Sequence, residues 1–349
     1  MKIAQIAPLY EAVPPKLYGG TERVVAHLCD ALVDQGHDVT LFAAADASTR
    51  AHLVPTRDRA IRLDEAPLKS DLAANLTMLN EVKRRSHQFE VLHFHVDMIH
   101  FPMFEQQAAR TVTTLHGRLD LKDLPAVYRH WPEYGLVSIS NHQRSPLPFA
   151  SWLATVPHGV PGSLLRYCAQ PQGYLAFLGR ISPEKRPDVA IRIAQRAGLP
   201  LKIAAKVDAV DEAYFEAVVR PLLDDPLIEY VGEIGDAEKS AFLGGALALL
   251  FPIDWPEPFG LVMIESFACG TPVVAWNCGS VPEVVEHGKT GFIVSTDSEA
   301  IAALDLVSAL DRGSVRAAFE RRFTAESMAS SYLQVYSALL GSEPLRQVS

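Results

Sequence analysis

Short apolar runs alternate with longer amphipathic stretches along this 349-residue chain, and the alternation runs twice. KIAQIAP (2–8) reads as a buried strand. Glu22 to Gln35 reads as a helix, capped by Thr21 and closed by Gly36, and HDVTLFAA (37–44) as the next strand. Strand, helix, strand in that order requires a crossover and therefore a parallel pair. Residues 46–66 read as irregular. Beyond them come a helix over 68–87 and strands at 90–95, 110–116, 136–140 and 152–157, with short helices at 98–107 and 121–128. HGVPGSLLRYCAQPQG (158–173) is rich in Gly, Pro and polar residues and marks a domain boundary. The second half predicts strands at 174–179, 201–206, 228–232, 246–252, 271–277 and 291–294. Helices are expected at 187–197, 212–223, 237–243 and 260–269, and three more close the chain at 298–310, 314–323 and 325–340. Two doubly wound α/β halves follow, with ligands expected at the carboxyl ends of the strands and, where the halves face each other, in a cleft between them.

A chain of this length has room for two ordinary domains. Its formal net charge of −9 makes it a poor candidate for nucleic acid or broad anionic membrane surfaces. Cys29, Cys168, Cys269 and Cys278 form no Cys-x-x-Cys pair and read as reduced thiols. The N-terminus reads as a first strand, not a signal peptide, and no stretch of about 18 apolar residues predicts a membrane span. The cytoplasm is the expected compartment, with loose membrane association left open.

FPIDWPEPFGLVMIESFAC (251–269) is the most informative stretch. An apolar run ends in a Pro-rich turn, and a helix reads from Gly260 to Cys269. Projected at about 100° per residue, its apolar side chains cover nearly the whole circumference, as in a buried helix. Glu265 sits among them, and an unpaired buried carboxylate is costly. Glu257 precedes it on the entry loop. Carboxylates beside a helix N-terminus suit a polyhydroxylated ligand carrying phosphate. The plainer alternative is an N-terminal Glu favoured by the helix dipole and a structural Glu paired with Lys or Arg.

GRISPEKRP (179–187) follows the first strand of the second half. Gly179 opens the turn. Arg180 as a fork and Lys185 as a point charge can hold a diphosphate, although a solvated basic turn explains them equally. Gly19 and Gly20 before the first helix allow close approach of a ligand, or form a simple turn. No Gly-x-Gly-x-x-Gly follows strand one. His93, His95, His100 and His116 form a His-rich patch, with His93 and His95 on one strand face. Neither His-Glu-x-x-His nor Asp-x-Asp accompanies them, so no metal site is assigned. His116, before Gly117 at a strand end, is placed to touch a substrate.

Over nearly its whole length the chain resembles the retaining glycosyltransferases of the GT-B fold, family four. YGGTERVVAHLCDALVDQGHDVTLFA, FLGRISPEKRPDVAIRIA and PIDWPEPFGLVMIESFACGTPVVAWNCGSVPEVVEHGKTGFIV carry the resemblance. It implies two Rossmann-like domains facing across a cleft. Residues 1–165, with a C-terminal segment 325–349 crossing back, would form the acceptor side, and 166–324 the nucleotide-sugar side. It implies that Glu265 bonds ribose hydroxyls, that Glu257 bonds the donor sugar, and that Arg180 and Lys185 neutralise the diphosphate. Gly19 and Gly20 would approach that diphosphate. Phe259, Gly260 and Leu261 would offer backbone amides, Ile234 would lie beside the base, and His116 near the sugar. The expected reaction moves a hexose-type sugar from a UDP- or GDP-linked donor to a small-molecule, glycan or glycolipid hydroxyl, with neither cofactor nor metal. A non-catalytic nucleotide-sugar-binding subunit and a GT-B-like sugar-nucleotide epimerase remain as alternatives. His158-Gly159-Val160 departs from the family's Asn-Gly-Val.

Overall fold

The computed structural model describes residues 1–16 and 19–341. The chain divides into two compact units, one of Met1–Gly159 with the chain from Ala325 on, the other of Val160–Thr324. Residues 342–349 of the expected crossing segment, and Leu17 and Tyr18 before the first helix, lie outside the described residues.

The first unit carries seven strands: β1 (Lys2–Ile6), β2 (Asp38–Ala44), β3 (His52–Arg57), β4 (Val91–Phe94), β5 (Thr111–Thr114), β6 (Gly135–Ser138) and β7 (Trp152–Thr155). They form one sheet in the order β3-β2-β1-β4-β5-β6-β7. Every pairing is parallel, as the crossovers require. The interior strands are buried almost throughout because helices cover both faces of such a sheet, and they carry buried polar side chains at Gln5, His93 and the threonines of β5. The strand order reverses between β1 and β4, where a doubly wound sheet opens a crevice at its carboxyl edge. The first helix starts at Thr21, with Gly20 as N-cap and no side-chain cap bond, so Thr21 lies inside the helix and does not cap it. Residues 46–66, expected to be irregular, contain the edge strand β3. The last helix, Ala325–Leu339, packs on the Thr21–Asp34 helix within this unit.

The second unit carries β8 (Tyr174–Ile181), β9 (Leu201–Val207), β10 (Ile228–Gly232), β11 (Ala246–Phe251), β12 (Val273–Trp276) and β13 (Gly291–Val294), in the order β10-β9-β8-β11-β12-β13. These pairs are also all parallel. The reversal here falls between β8 and β11. The helix expected over 212–223 is instead a short α turn (Glu212–Tyr214), a π segment (Phe215–Val219) and a 3-10 turn (Arg220–Leu222). Pro221 cannot donate a backbone hydrogen bond, which favours the change of helical pitch at its end. No helix among the described residues is long and apolar enough to cross a membrane.

Candidate active site

In the second unit the two sequence segments singled out above emerge on either side of the strand-order reversal. Gly179 and Arg180 lie at the end of β8, and Trp255 to Gly260 follow β11. A Cβ built on Gly179 would meet open space, so packing alone does not demand glycine there. The turn after β8 closes through Lys185 and Arg186 N–H groups donating to the Ser182 carbonyl at 3.2 Å. Arg186 takes a left-handed φ of 54°, the N-cap of the Pro187–Ala197 helix. Asp254 N–H donates to the Glu184 carbonyl at 2.8 Å, which ties this turn to the loop after β11.

That tie brings Lys185 onto Glu257. The Lys185 ammonium donates to Glu257 Oε2, and Trp255 Nε1 donates to the same oxygen at 2.8 Å. Glu257 is 9% exposed. The ammonium also lies 4.9 Å from the Trp255 ring centroid and 5.8 Å from that of Phe251. The aromatic faces attract the cation and keep water from much of its surface. Two residues 72 positions apart thus form one charged couple at the crevice edge.

The loop is held from beneath by Gly279. Its φ is 59°, and a Cβ there would lie 2.4 Å from Glu257 N and 2.5 Å from Glu257 O. Ser280 N–H donates to the Glu257 carbonyl at 3.0 Å, and Ser280 Oγ to the Phe259 carbonyl at 2.7 Å. Gly279→Ala is therefore expected to cost about 2 to 3 kcal/mol by steric strain and to displace Glu257. Urea unfolding measures the first effect. An unchanged midpoint would show that the loop yields freely.

Gly260 starts the Leu261–Ala268 helix in the left-handed region, φ 82°. A Cβ there would strike Met263 Cε at 2.8 Å. Met263, Ile264, Phe267 and Ala268 are fully buried, whereas Leu261 and Val262 are partly exposed. Phe259 is a core side chain, edge-on to Phe323 at 6.1 Å. Glu265 is 3% exposed and meets its counter-charge: Lys239 Nζ donates to Glu265 Oε1 at 2.6 Å. Lys239 comes from the Asp236–Gly244 helix and also pairs with Asp236 at 3.2 Å. It was not singled out in the sequence. Its signal is there, since Lys239, Phe242 and Leu243 share the buried helix face.

Arg180 stands among carboxylates, with Glu184 at 2.6 Å, Asp211 at 3.5 Å and Asp208 at 3.9 Å. The arrangement draws the fork toward the ends of β8 and β9 and leaves its side chain partly exposed. Ile234 is partly exposed in the loop between β10 and the Asp236–Gly244 helix.

In the first unit, Gly19 and Gly20 precede the Thr21–Asp34 helix. A Cβ on Gly19 would lie 2.8 Å from Pro15 Cβ, so packing alone demands glycine at that position. His116 follows β5, and its Nε2 lies 2.9 Å from His95 Nδ1. Its ring stacks on His158 with centroids 5.2 Å apart. Burial lowers the His116 pKa to about 3 and holds His95, His93 and His158 well below the usual imidazole value, so these rings are neutral near pH 7. His100 is likewise lowered to about 3 by burial and stacks on Phe94 at 3.8 Å. Among the described residues, no group of three or more His, Cys, Asp or Glu side chains is arranged to hold a metal ion.

Comparison with known proteins bears on both units. Residues 169–322 match the family described as "Glycosyl transferases group 1", and residues 18–144 match "Glycosyltransferase Family 4". A phosphatidyl-myo-inositol mannosyltransferase of Mycobacterium leprae (strain TN) is 26% identical, across 100% of both chains. A D-inositol 3-phosphate glycosyltransferase of Rhodococcus jostii (strain RHA1) is 33% identical over 181 residues, 45% of this chain and 39% of that one. Among solved structures, a sucrose-phosphate synthase of Thermosynechococcus elongatus superposes with a TM-score of 0.79 at 18% identity, over 98% of this chain and 100% of that one. That likeness concerns the fold, two Rossmann-like domains.

Proposed function

This chain belongs to the family-four glycosyltransferases of GT-B fold, and we propose that it is a retaining enzyme moving a hexose-type sugar from a nucleoside-diphosphate sugar to a hydroxyl acceptor without a metal. The observation that carries the proposal is the Lys185–Glu257 couple at the carboxyl edge of the second sheet. In transfer, the bond from the anomeric carbon to the diphosphate oxygen breaks. A bond from that carbon to the acceptor oxygen forms on the same face. The acceptor proton passes to the departing diphosphate, so no strong protein base is needed. The demand on the protein is to stabilise charge on the leaving group.

Lys185 and Arg180 supply that charge, aided by amides of Gly260 and Leu261 at the helix start. Glu257 reads hydroxyls of the sugar, held in place by Lys185 and Trp255. Glu265, oriented by Lys239, holds the ribose, and Ile234 lies beside the base. Within the first unit, Gly19, Gly20 and His116 are the groups assigned to ligand contact. The four unpaired thiols suit a cytoplasmic enzyme. The likeness to a phosphatidyl-myo-inositol mannosyltransferase and to a D-inositol 3-phosphate glycosyltransferase favours an inositol or its phosphate as acceptor.

A thermal-shift panel in EDTA tests the reading, because a ligand that binds only the native state raises the melting point with its affinity. At 100 times its dissociation constant the right nucleoside-diphosphate sugar adds about 2.7 kcal/mol. UDP, GDP, ADP and their glucose or mannose forms are compared with NAD. One base is expected to stand out. Equal shifts with NAD, or none with any nucleoside-diphosphate sugar, would sink the proposal.

A further inference from the structure

A chain of buried hydrogen bonds runs from His116 across the first sheet to the last helix. His116 Nε2 and His95 Nδ1 are 2.9 Å apart, and His95 Nε2 lies 2.8 Å from Gln5 Oε1. Gln5 Nε2 donates to the Tyr336 hydroxyl at 3.1 Å. That hydroxyl lies 2.7 Å from His93 Nδ1, and His93 Nε2 lies 2.7 Å from Thr114 Oγ1. Thr114 Oγ1 meets the Tyr332 hydroxyl at 2.9 Å. β1 contributes Gln5, β4 His93, β5 Thr114, the segments just after β4 and β5 His95 and His116, and the Ala325–Leu339 helix both tyrosines.

The bonds cannot choose their directions independently. A neutral imidazole has one donor and one acceptor nitrogen. Gln5 Oε1 can only accept, so His95 Nε2 carries the proton and His95 Nδ1 accepts. His116 Nε2 must then donate, which leaves His116 Nδ1 as a bare lone pair. On the other branch the Gln5 amide donates to the Tyr336 hydroxyl, whose own proton has no acceptor among the described residues but His93 Nδ1; the hydroxyl therefore donates there, and His93 Nε2 donates to Thr114. All three imidazoles therefore carry their proton on Nε2. The opposite polarity, with the Gln5 amide turned over, would place a proton on His116 Nδ1. That atom is buried and has no hydrogen-bond partner among the described residues. An orphaned buried N–H is rarer than an under-used acceptor, so the first polarity is favoured.

We infer that Gln5, with His95 and Tyr336, is a positioning residue that locks His116 as a neutral Nε2–H tautomer and so sets which hydrogen-bonding function its ring has left to offer. The function left to the ring is that of an acceptor for a hydroxyl proton, not a cation for a phosphate, and in this structure that acceptor atom is shielded. The tautomer claim stands on this geometry alone. Its use toward a sugar hydroxyl rests on the function proposed above, and the experiment reads the tautomer without any ligand.

Two-bond 1H–15N correlation spectra of the full chain, labelled with 15N-histidine, report which nitrogen is protonated. The expected result at pH 7 is Nε2–H for His93, His95 and His116 together. Nδ1–H on His95 and His116, or an imidazolium on either, overturns the inference. Gln5→Met removes both amide functions and is expected to release His116 into a mixture of tautomers. Gln5→Glu, whose carboxylate accepts from His95 as the amide oxygen does, is expected to restore Nε2–H on His95 and His116. A folded Gln5→Met chain with the wild-type His116 pattern, or a Gln5→Glu chain without it, refutes control by Gln5.

Discussion

Lys185→Met and Glu257→Gln are each expected to lower transfer by roughly 10² to 10³-fold, the range for losing one preorganised charge-stabilising group. Either single change also leaves a largely buried partner uncompensated, which costs stability in its own right, about 3 to 5 kcal/mol for a fully buried pair. The side chains here are 14% and 11% exposed, so the cost is smaller, and stability must be measured beside activity. The double variant separates the two effects. With both charges gone, no unpaired charge remains, and urea unfolding is expected to return toward the wild-type midpoint. Transfer is expected to stay lost, because the diphosphate has lost its cation and the sugar its carboxylate. A double variant that transfers at the wild-type rate would make the couple purely structural.

Acidification is expected to unfold the first unit well before the second. His93, His95, His100 and His158 are buried in the first unit. Desolvation lowers all four, His100 to about 3. An unfolded histidine titrates near 6.5, so below that pH the unfolded chain binds protons that the folded chain refuses. Their contribution is complete above about pH 6.5 and is lost as pH falls toward the folded values. Each such group removes about 1.4 kcal/mol per pH unit in that window. Burial also raises the carboxyls of Glu22 and Asp97 in the same unit, which opposes the loss. A net loss of several kcal/mol by pH 5.5 lowers the melting point by about 10 °C. The second unit contains a single histidine, His287, and has no comparable load. Calorimetry at pH 7.5 and 5.5 is expected to show the first unit's transition moving down alone. A profile unchanged between these pH values, or a second unit that melts first, would contradict the burial of the histidine cluster.

The alternating architecture was legible because covered parallel strands read as largely apolar runs, ALALLF in β11 and VVAW in β12 among them. β3 was not, since HLVPTR mixes polar residues with Pro55. It pairs only with β2, at the sheet edge, where a proline is tolerated. Individual site candidates were legible by residue type and by their place at strand ends. Their partnerships were not: periodicity cannot place Lys185 on Glu257, or Lys239 on Glu265, across intervening elements. The shared face of His93 and His95 followed from strand alternation, and their rings do lie side by side, with centroids 4.1 Å apart and planes tilted by 40°. That Gln5 and Tyr336 complete the chain of bonds depends on how the last helix meets the first sheet, which no local pattern encodes.

The most direct test follows the anomeric proton by NMR while the donor selected by thermal shift is turned over in EDTA with a hydroxyl acceptor. The nucleoside diphosphate is expected to be released with a product whose anomeric configuration equals that of the donor sugar, at a rate unaffected by EDTA. A product of opposite configuration, or a reaction that stops without divalent metal, would contradict it.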